Sequence, residues 1–368
     1  MKRYIIGIIT FLATSCTNDK SSDFHNNYMA FENIKYIKEF PASYSLDNDQ
    51  TVEWDVIGIK AFCCFDSLLV ITSTEDPNGL WHFLTADKYQ SLGNYITRGG
   101  GPTEFEGFPR SSDANFYKKN NQIFADIYDF GSGRFYRINV SNTIRDHKLD
   151  ITLINSSLPA GLFDQVLIDS STVYCKTIAN EQRQQIRSLW KNGEETTPQN
   201  YKLLNQVSVT DGGDFNIIST ITKKSPDNDI IVEAPIGLDQ VNIFSAEDTF
   251  AMTICPNKKN LDNIHDIEDQ IRWERIYTYG GVRTYPDFFA VLYINEDQKT
   301  FQTERKTFPT IQIFDWKGNP LMEIKLNRFI TSFDFDFYNG YIYALDNKED
   351  IMYKYEVKNI LTKLPRSV

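Results

Sequence analysis

The sequence predicts an all-β fold of small sheets repeated around an axis, a β-propeller, and three observations carry that expectation. Strand-length segments, apolar or alternating, recur from about residue 55 onward, many separated by Gly, Asn or Asp turns. Segments with the 3.6-residue period of an amphipathic helix are nearly absent. A strand–Asp–turn–strand pattern also returns in degenerate form. Tyr128-Asp129-Phe130-Gly131 ahead of Arg134-Phe135-Tyr136-Arg137 echoes Phe314-Asp315-Trp316-Lys317-Gly318 ahead of a returning strand. Composition agrees, because 26 Phe and 20 Tyr in 368 residues supply a large core and favour strands.

Taken in order, the chain begins with Met1-Lys2-Arg3 and an apolar run over residues 4–13, too short to span a bilayer as a helix. The run ends in Leu12-Ala13-Thr14-Ser15-Cys16, which resembles a bacterial lipobox. Residues 1–15 are therefore expected to be a secretory signal, with lipidation of Cys16 and a polar tether over residues 16–30. That places the protein in the cell envelope, on an outer membrane facing either the periplasm or the cell surface. Only Asp19, beside Lys20, stands near the Cys, so the acidic cluster common in surface-displayed lipoproteins is missing. No later segment has the length of a transmembrane helix.

Residues 31–368 are expected to form one domain. Strands are predicted at 61–72 (broken at Asp66-Ser67), 81–84, 89–96, 122–127, 134–140 and 150–154. More follow at 165–168, 172–178, 186–190 before an Asn192-Gly193 turn, 217–222, 230–234, 241–244 and 250–254. The clearest helical candidate is 263–276, with Ile264, Ile267, Ile271 and Trp273 on one side. Residues 310–315 and 321–326 form a hairpin across Gly318-Asn319; 330–337, 341–346 and 351–357 alternate around an Asn339-Gly340 turn.

The segment Ile311-Gln312-Ile313-Phe314-Asp315-Trp316-Lys317-Gly318-Asn319-Pro320, followed by Tyr341-Ile342-Tyr343-Ala344, resembles the TolB-like six-bladed propeller lipoproteins of Bacteroides-type bacteria. So do Asp287-Phe288-Phe289-Ala290-Val291-Leu292-Tyr293 and the Gly-rich Arg98-Gly99-Gly100-Gly101-Pro102-Thr103-Glu104-Phe105. The likeness covers most of the mature chain and departs from it at about residues 179–213. It implies six blades, with seven as the alternative because six leaves each repeat long. It also implies a ring closed by an N-terminal strand, assigned to residues 33–40, completing the last sheet. These motifs mark a fold and identify no reaction.

The net charge of −11 gives no electrostatic footprint for nucleic acid. Arg98, Gly99, Gly100, Gly101 and Glu104 form the most distinctive loop. Its glycines permit close backbone approach to an anion, and Thr103 with Glu106 has capping-box spacing; the plainer reading is a blade-to-blade connection. Asp334 and Asp336 fall on one strand face and have the chemistry for Ca²⁺, although a channel Ca²⁺ needs oxygens from several blades. His25, His82, His147 and His265 are scattered, and no Gly-x-Ser-x-Gly or phosphate-binding loop is present. Cys63, Cys64, Cys175 and Cys255 read as small buried hydrophobes, with a Cys175–Cys255 bridge open. The sequence thus favours a membrane-anchored propeller that binds a protein, peptide or glycan, without a cofactor. The alternative is a metal-dependent hydrolase or lyase of the lactonase-like or NHL-like propeller type.

Overall fold

The computed structural model describes residues 27–76, 79–159, 161–257 and 260–365; the predicted signal, Cys16 and His25 lie outside them. The chain forms six blades, each a sheet of four consecutive antiparallel strands apart from the last, which borrows one. Blade 1 runs from Ile59–Phe65 to Ser91–Tyr95, blade 2 from Asn115–Lys119 to Ile151–Asn155, and blade 3 from Leu162–Leu167 to Glu194–Thr196. Blade 4 runs from Thr220–Lys224 to Ala251–Cys255, blade 5 from Ile276–Thr284 to Pro320–Lys325, and blade 6 from Ser332–Asp336 to Ile351–Glu356. The first strand of each blade is innermost. Faces between blades are filled by alternating side chains such as Phe333 and Phe335 of blade 6, both buried against Phe288 of blade 5.

Six blades absorb the length because their connections carry extra structure. A helix, Gln199–Asn205, lies between blades 3 and 4, where Asp248 accepts its first two amides, from Gln199 and Asn200, both at 2.7 Å. Another, Gln298–Thr303, is N-capped by Asp297 inside blade 5. The segment expected to be helical over 263–276 forms a helix only at Ile264–Glu268 and a 3₁₀ turn at Arg272–Glu274. Ile264 is buried, but Ile271 and Trp273 are 63% and 52% exposed, so the apolar stripe does not continue. Ile276 opens the nine-residue inner strand of blade 5 instead. The Asn192-Gly193 turn is present, with both residues at positive φ (53° and 89°).

The ring is closed by an N-terminal strand, but not by the one expected. Asp49–Thr51 pairs antiparallel with Ile351–Glu356 and completes blade 6. Residues 33–40 go elsewhere: Ile34–Tyr36 adds to blade 4 as a fifth, parallel strand on Ala251–Cys255. Ser43–Ser45 does the same on Pro320–Lys325 of blade 5. The N-terminal segment is thus a belt along the outer edges of three consecutive blades, covering backbone groups that an edge strand otherwise leaves unpaired. It is fixed at its start, where Gln240 Nε2 donates to the carbonyls of Tyr28 and Met29 (2.7 Å each) and Phe31 packs on Phe244. No helix among the described residues is long and apolar enough to cross a membrane. Cys63, Cys64 and Cys175 carry free thiols, so no Cys175–Cys255 bridge forms; burial pushes the Cys175 thiol up to about 12.

Candidate functional site

Inner strands of all six blades border a central cavity of about 690 Å³. Those of blades 3, 4, 5, 6 and 1 pack on one another in succession. Blade 2 packs on blade 1 through Phe116, Ile127 and Tyr136 against Val70, Trp81 and Phe83, and the 3₁₀ turn Ser111–Asp113 adds contacts to the first two strands of blade 1. On its other side Tyr128 and Phe135 share a buried cluster with Leu167 of blade 3, and Phe130, Gln165 and Val166 beside them line the cavity. Its volume is within the range of small-molecule sites, roughly 300–1,000 Å³.

The turn at Ser111–Asp113 makes the floor, and its placement can be followed bond by bond. Trp81 Nε1 donates to Pro109 O (2.7 Å), Ser111 N to Thr72 Oγ1 (2.7 Å) and Ser111 Oγ to Val70 O (3.1 Å). The Ser112 carbonyl then accepts from Lys223 Nζ of blade 4 (2.7 Å) and Arg283 Nη1 of blade 5 (3.4 Å). Arg283 also donates to Phe333 O (2.7 Å) and Phe62 O (2.8 Å), so one guanidinium joins blades 5, 6 and 1. Asp113 takes Arg110 Nε at 2.7 Å and lies 3.5 Å from Lys223 Nζ. Burial raises the Asp113 pKa, but Lys223, Arg110 and Arg283 outweigh it and hold the carboxyl below its usual range. Burial lowers the Lys223 pKa, with Arg283 adding to the effect and Asp113 opposing it.

The walls are aromatic. Phe65 and Phe116 stack at 6.0 Å, Tyr128 meets Phe130 edge-on at 5.0 Å, and Tyr285 meets Phe337 at 5.2 Å. Two of these lining residues remain open to solvent: Phe130 is 53% exposed and Tyr338 67%. Lys118 and Asp66 pair at 2.8 Å on the lining as well.

The residues singled out in the sequence are distributed unevenly over this site. Asp334 and Asp336 line the cavity, but their oxygens are taken. Asp334 accepts from Cys64 N (2.9 Å) and Tyr285 OH (2.7 Å), while Asp336 accepts from Tyr338 N, Asn339 N and Asn339 Nδ2. Among the described residues, no three His, Cys, Asp or Glu side chains gather in a geometry that holds a metal ion. The loop Arg98, Gly99, Gly100, Gly101 and Glu104 lies outside the cavity lining and is closed on itself. Gly99 N donates to Phe105 O (3.0 Å), Phe105 N to Thr97 O (2.9 Å) and Gly101 N to Glu104 Oε2 (2.8 Å). Glu104, not Glu106, satisfies an amide there, and a turn forms instead of a helix. Phe105, fully buried, anchors the loop against Tyr136 at 5.2 Å, ahead of the floor residues. His82, His147 and His265 sit on separate elements: His82 lies 3.7 Å from Asp76, and His265 donates to or accepts from Glu268 at 2.8 Å.

Arg110, Phe130, Lys223, Arg283 and Tyr338 were not singled out by the sequence. The nearest signal was the echo around Asp129. Asp129 closes its own turn and also accepts from Glu106 N (3.0 Å) and Gly107 N (2.7 Å), tying the approach to the floor onto blade 2. Gly131 makes that approach close: a Cβ there would lie 2.5 Å from Gly107 N and 2.6 Å from Glu106 C, both backbone atoms. Gly131→Ala is expected to cost about 2 kcal/mol through that overlap, read as a lower urea midpoint at unchanged slope. An unchanged midpoint would show that the two turns do not need this contact.

No family model matches the chain, and no curated protein matches it. Among solved structures, it is similar to a member of the DUF4221 family from Bacteroides vulgatus, with 10% identity over 84% of this chain and 96% of that one, at a TM-score of 0.54. A Bacteroides thetaiotaomicron protein of unknown function aligns at 10% identity over 86% and 75% of the two chains, with a TM-score of 0.44. A calcium-binding regucalcin from Agrobacterium tumefaciens aligns at 8% identity over 86% and 95%, with a TM-score of 0.38. At these identities the likeness speaks to fold alone.

Proposed function

We propose that this chain is a lipid-anchored binding propeller of the TolB-like type, attached to the cell envelope through Cys16 and holding a glycan in its central cavity. The observation that carries the reading is the cavity itself, about 690 Å³ with aromatic walls and the exposed rings of Phe130 and Tyr338. Sugars present apolar C–H faces, which stack on aromatic rings, and hydroxyls, which need both donors and acceptors nearby. The lining provides both, with Asn115, Gln165, Thr222 and the Asp66–Lys118 pair beside the rings. The hydrolase reading needs convergent oxygens free to take a metal, and the carboxylates at the axis are already engaged by amides, Tyr285 and Arg283.

Full-length protein in detergent is expected to bind members of an oligosaccharide panel, with Phe130→Ala and Tyr338→Ala each weakening the interaction about tenfold, the loss of ~1.4 kcal/mol of stacking. Retention of a peptide in place of every sugar would overturn the glycan assignment. For the anchor, Cys16→Ser is expected to abolish fatty-acid labelling and release the protein from membranes; labelling that persists would place the lipid on another residue, and a parent protein that takes no label would overturn the anchor.

A further inference from the structure

We infer that the glycan carries a carboxylate, bound at the cavity floor by Arg110 and Lys223; this deepens the reading above and rests on it. Three cations meet at the floor, Arg110, Lys223 and Arg283, and the carboxylates of Asp113, Asp334 and Asp336 share the lining with them, so the anion site is marked by unspent N–H groups and not by net charge. Arg283, whose side chain is only 12% exposed, spends its donors on Phe333 O, Phe62 O and Ser112 O. Arg110 and Lys223 do not.

Arg110 gives Nε to Asp113, and its side chain stays 56% exposed on the cavity lining. Its two Nη groups make no hydrogen bond among the described residues. Lys223 gives one N–H to Ser112 O and keeps donors to spare at 22% exposure. A partly buried cationic spot with unused N–H groups attracts an anion more strongly than a surface charge does, because a cavity screens less than bulk water. The guanidinium fork matches a planar carboxylate in two parallel bonds, a geometry that the point charge of a lysine does not offer. Phe130 and Tyr338, on the same lining, supply faces for the sugar rings that carry the acid. A bounded cavity of this size suits a short uronic-acid oligosaccharide better than an extended acidic peptide.

The test is calorimetric binding by the full-length protein in detergent of oligogalacturonate, its methyl ester and its reduced, neutral counterpart. Oligogalacturonate is expected to bind at least 30-fold more tightly than either, with that advantage shrinking as salt rises from 50 to 500 mM. Arg110→Gln is expected to reduce the ratio of acid to ester affinity to near one, and Arg110→Lys to restore part of it. Thermal unfolding of both variants checks that this exposed side chain is not needed for folding. Equal binding of acid, ester and neutral sugar overturns the carboxylate assignment while leaving the glycan site standing. Tighter binding of a sulfated sugar or of an acidic peptide overturns it too, and absence of binding to every sugar overturns both readings together.

Discussion

Glu233→Gln is expected to lower the stability of the protein by roughly 3–5 kcal/mol, the cost of breaking a fully buried ion cluster from one side. Glu233 is on the second strand of blade 4 with no exposed surface. It accepts from Arg187 Nε (3.1 and 3.0 Å to its two oxygens) and Nη2 (2.8 Å), from Lys176 Nζ (2.9 Å), and from Tyr174 OH. All three donors belong to blade 3, so one carboxylate locks two blades through two desolvated cations. Gln keeps the shape and removes the charge, leaving Arg187 and Lys176 to repel each other. Lys176, whose pKa burial already lowers, is expected to give up its proton in the variant, which holds the loss toward the low end of the range. A urea midpoint equal to that of the parent would contradict this account.

The same cluster fixes a pH dependence. Burial raises the Glu233 pKa, but Arg187 and Lys176 prevail and bring it to about 2, against 4.5 for the free side chain. A depressed carboxylate stabilises the fold above its unfolded pKa and loses that contribution as pH falls toward the folded one. Stability is therefore expected to drop between pH 4.5 and 2 by roughly 3 kcal/mol through this group. Denaturation series at pH 5, 4 and 3 read the slope, and Glu233→Gln should flatten it.

Asp129→Ala is expected to cost about 3–5 kcal/mol, from four donors that lose their acceptor together. Asp129 is 1% exposed and receives Glu106 N, Gly107 N, Gly131 N (3.1 Å) and Ser132 Oγ (2.7 Å). Burial raises its pKa, yet these bonds, led by Ser132, hold it below the usual range, so its contribution is also lost on acidification. Unlike Glu233, Asp129 acts on the site. Without it the chain from Glu106 to Arg110 is no longer tied to blade 2, and affinity for any cavity ligand should fall along with stability. Asp129→Asn keeps one accepting oxygen and should fall between the two. A variant that loses stability and keeps full affinity would separate the turn from the floor.

Much of the ring was readable from residue order because alternating strands announce themselves. Phe333 and Phe335 point to one side and Asp334 and Asp336 to the other, and Asn192-Gly193 needs positive φ at both positions. Ser43–Ser45 and Asp49–Thr51 had no such pattern. An outer strand three residues long is held by backbone hydrogen bonds, which any sequence can make, and neither needs an apolar face. Asn115–Lys119 escaped notice for a related reason: Asn115, Lys118 and Lys119 are polar and exposed, and only Phe116 of the five is buried. The segment over 263–276 misled because four apolar residues at helical spacing do not form a stripe when only the first is buried. The site was the least visible. Asp334 reaches Cys64 across 270 residues of sequence and Arg283 reaches Phe62 across 221, so no window of the chain contains its chemistry.

The belt makes the order of assembly unlike the order of synthesis. Ile34–Tyr36 has no partner until Ala251–Cys255 exists, and Asp49–Thr51 must wait for Ile351–Glu356. The first described residues to leave a ribosome are thus among the last to find their place, and blades 4, 5 and 6 keep open edges until they return. A holding chaperone that shields extended, aggregation-prone strands would have its longest task at this chain's beginning, and the final event of folding would be the fastening of its N-terminus around a nearly finished ring.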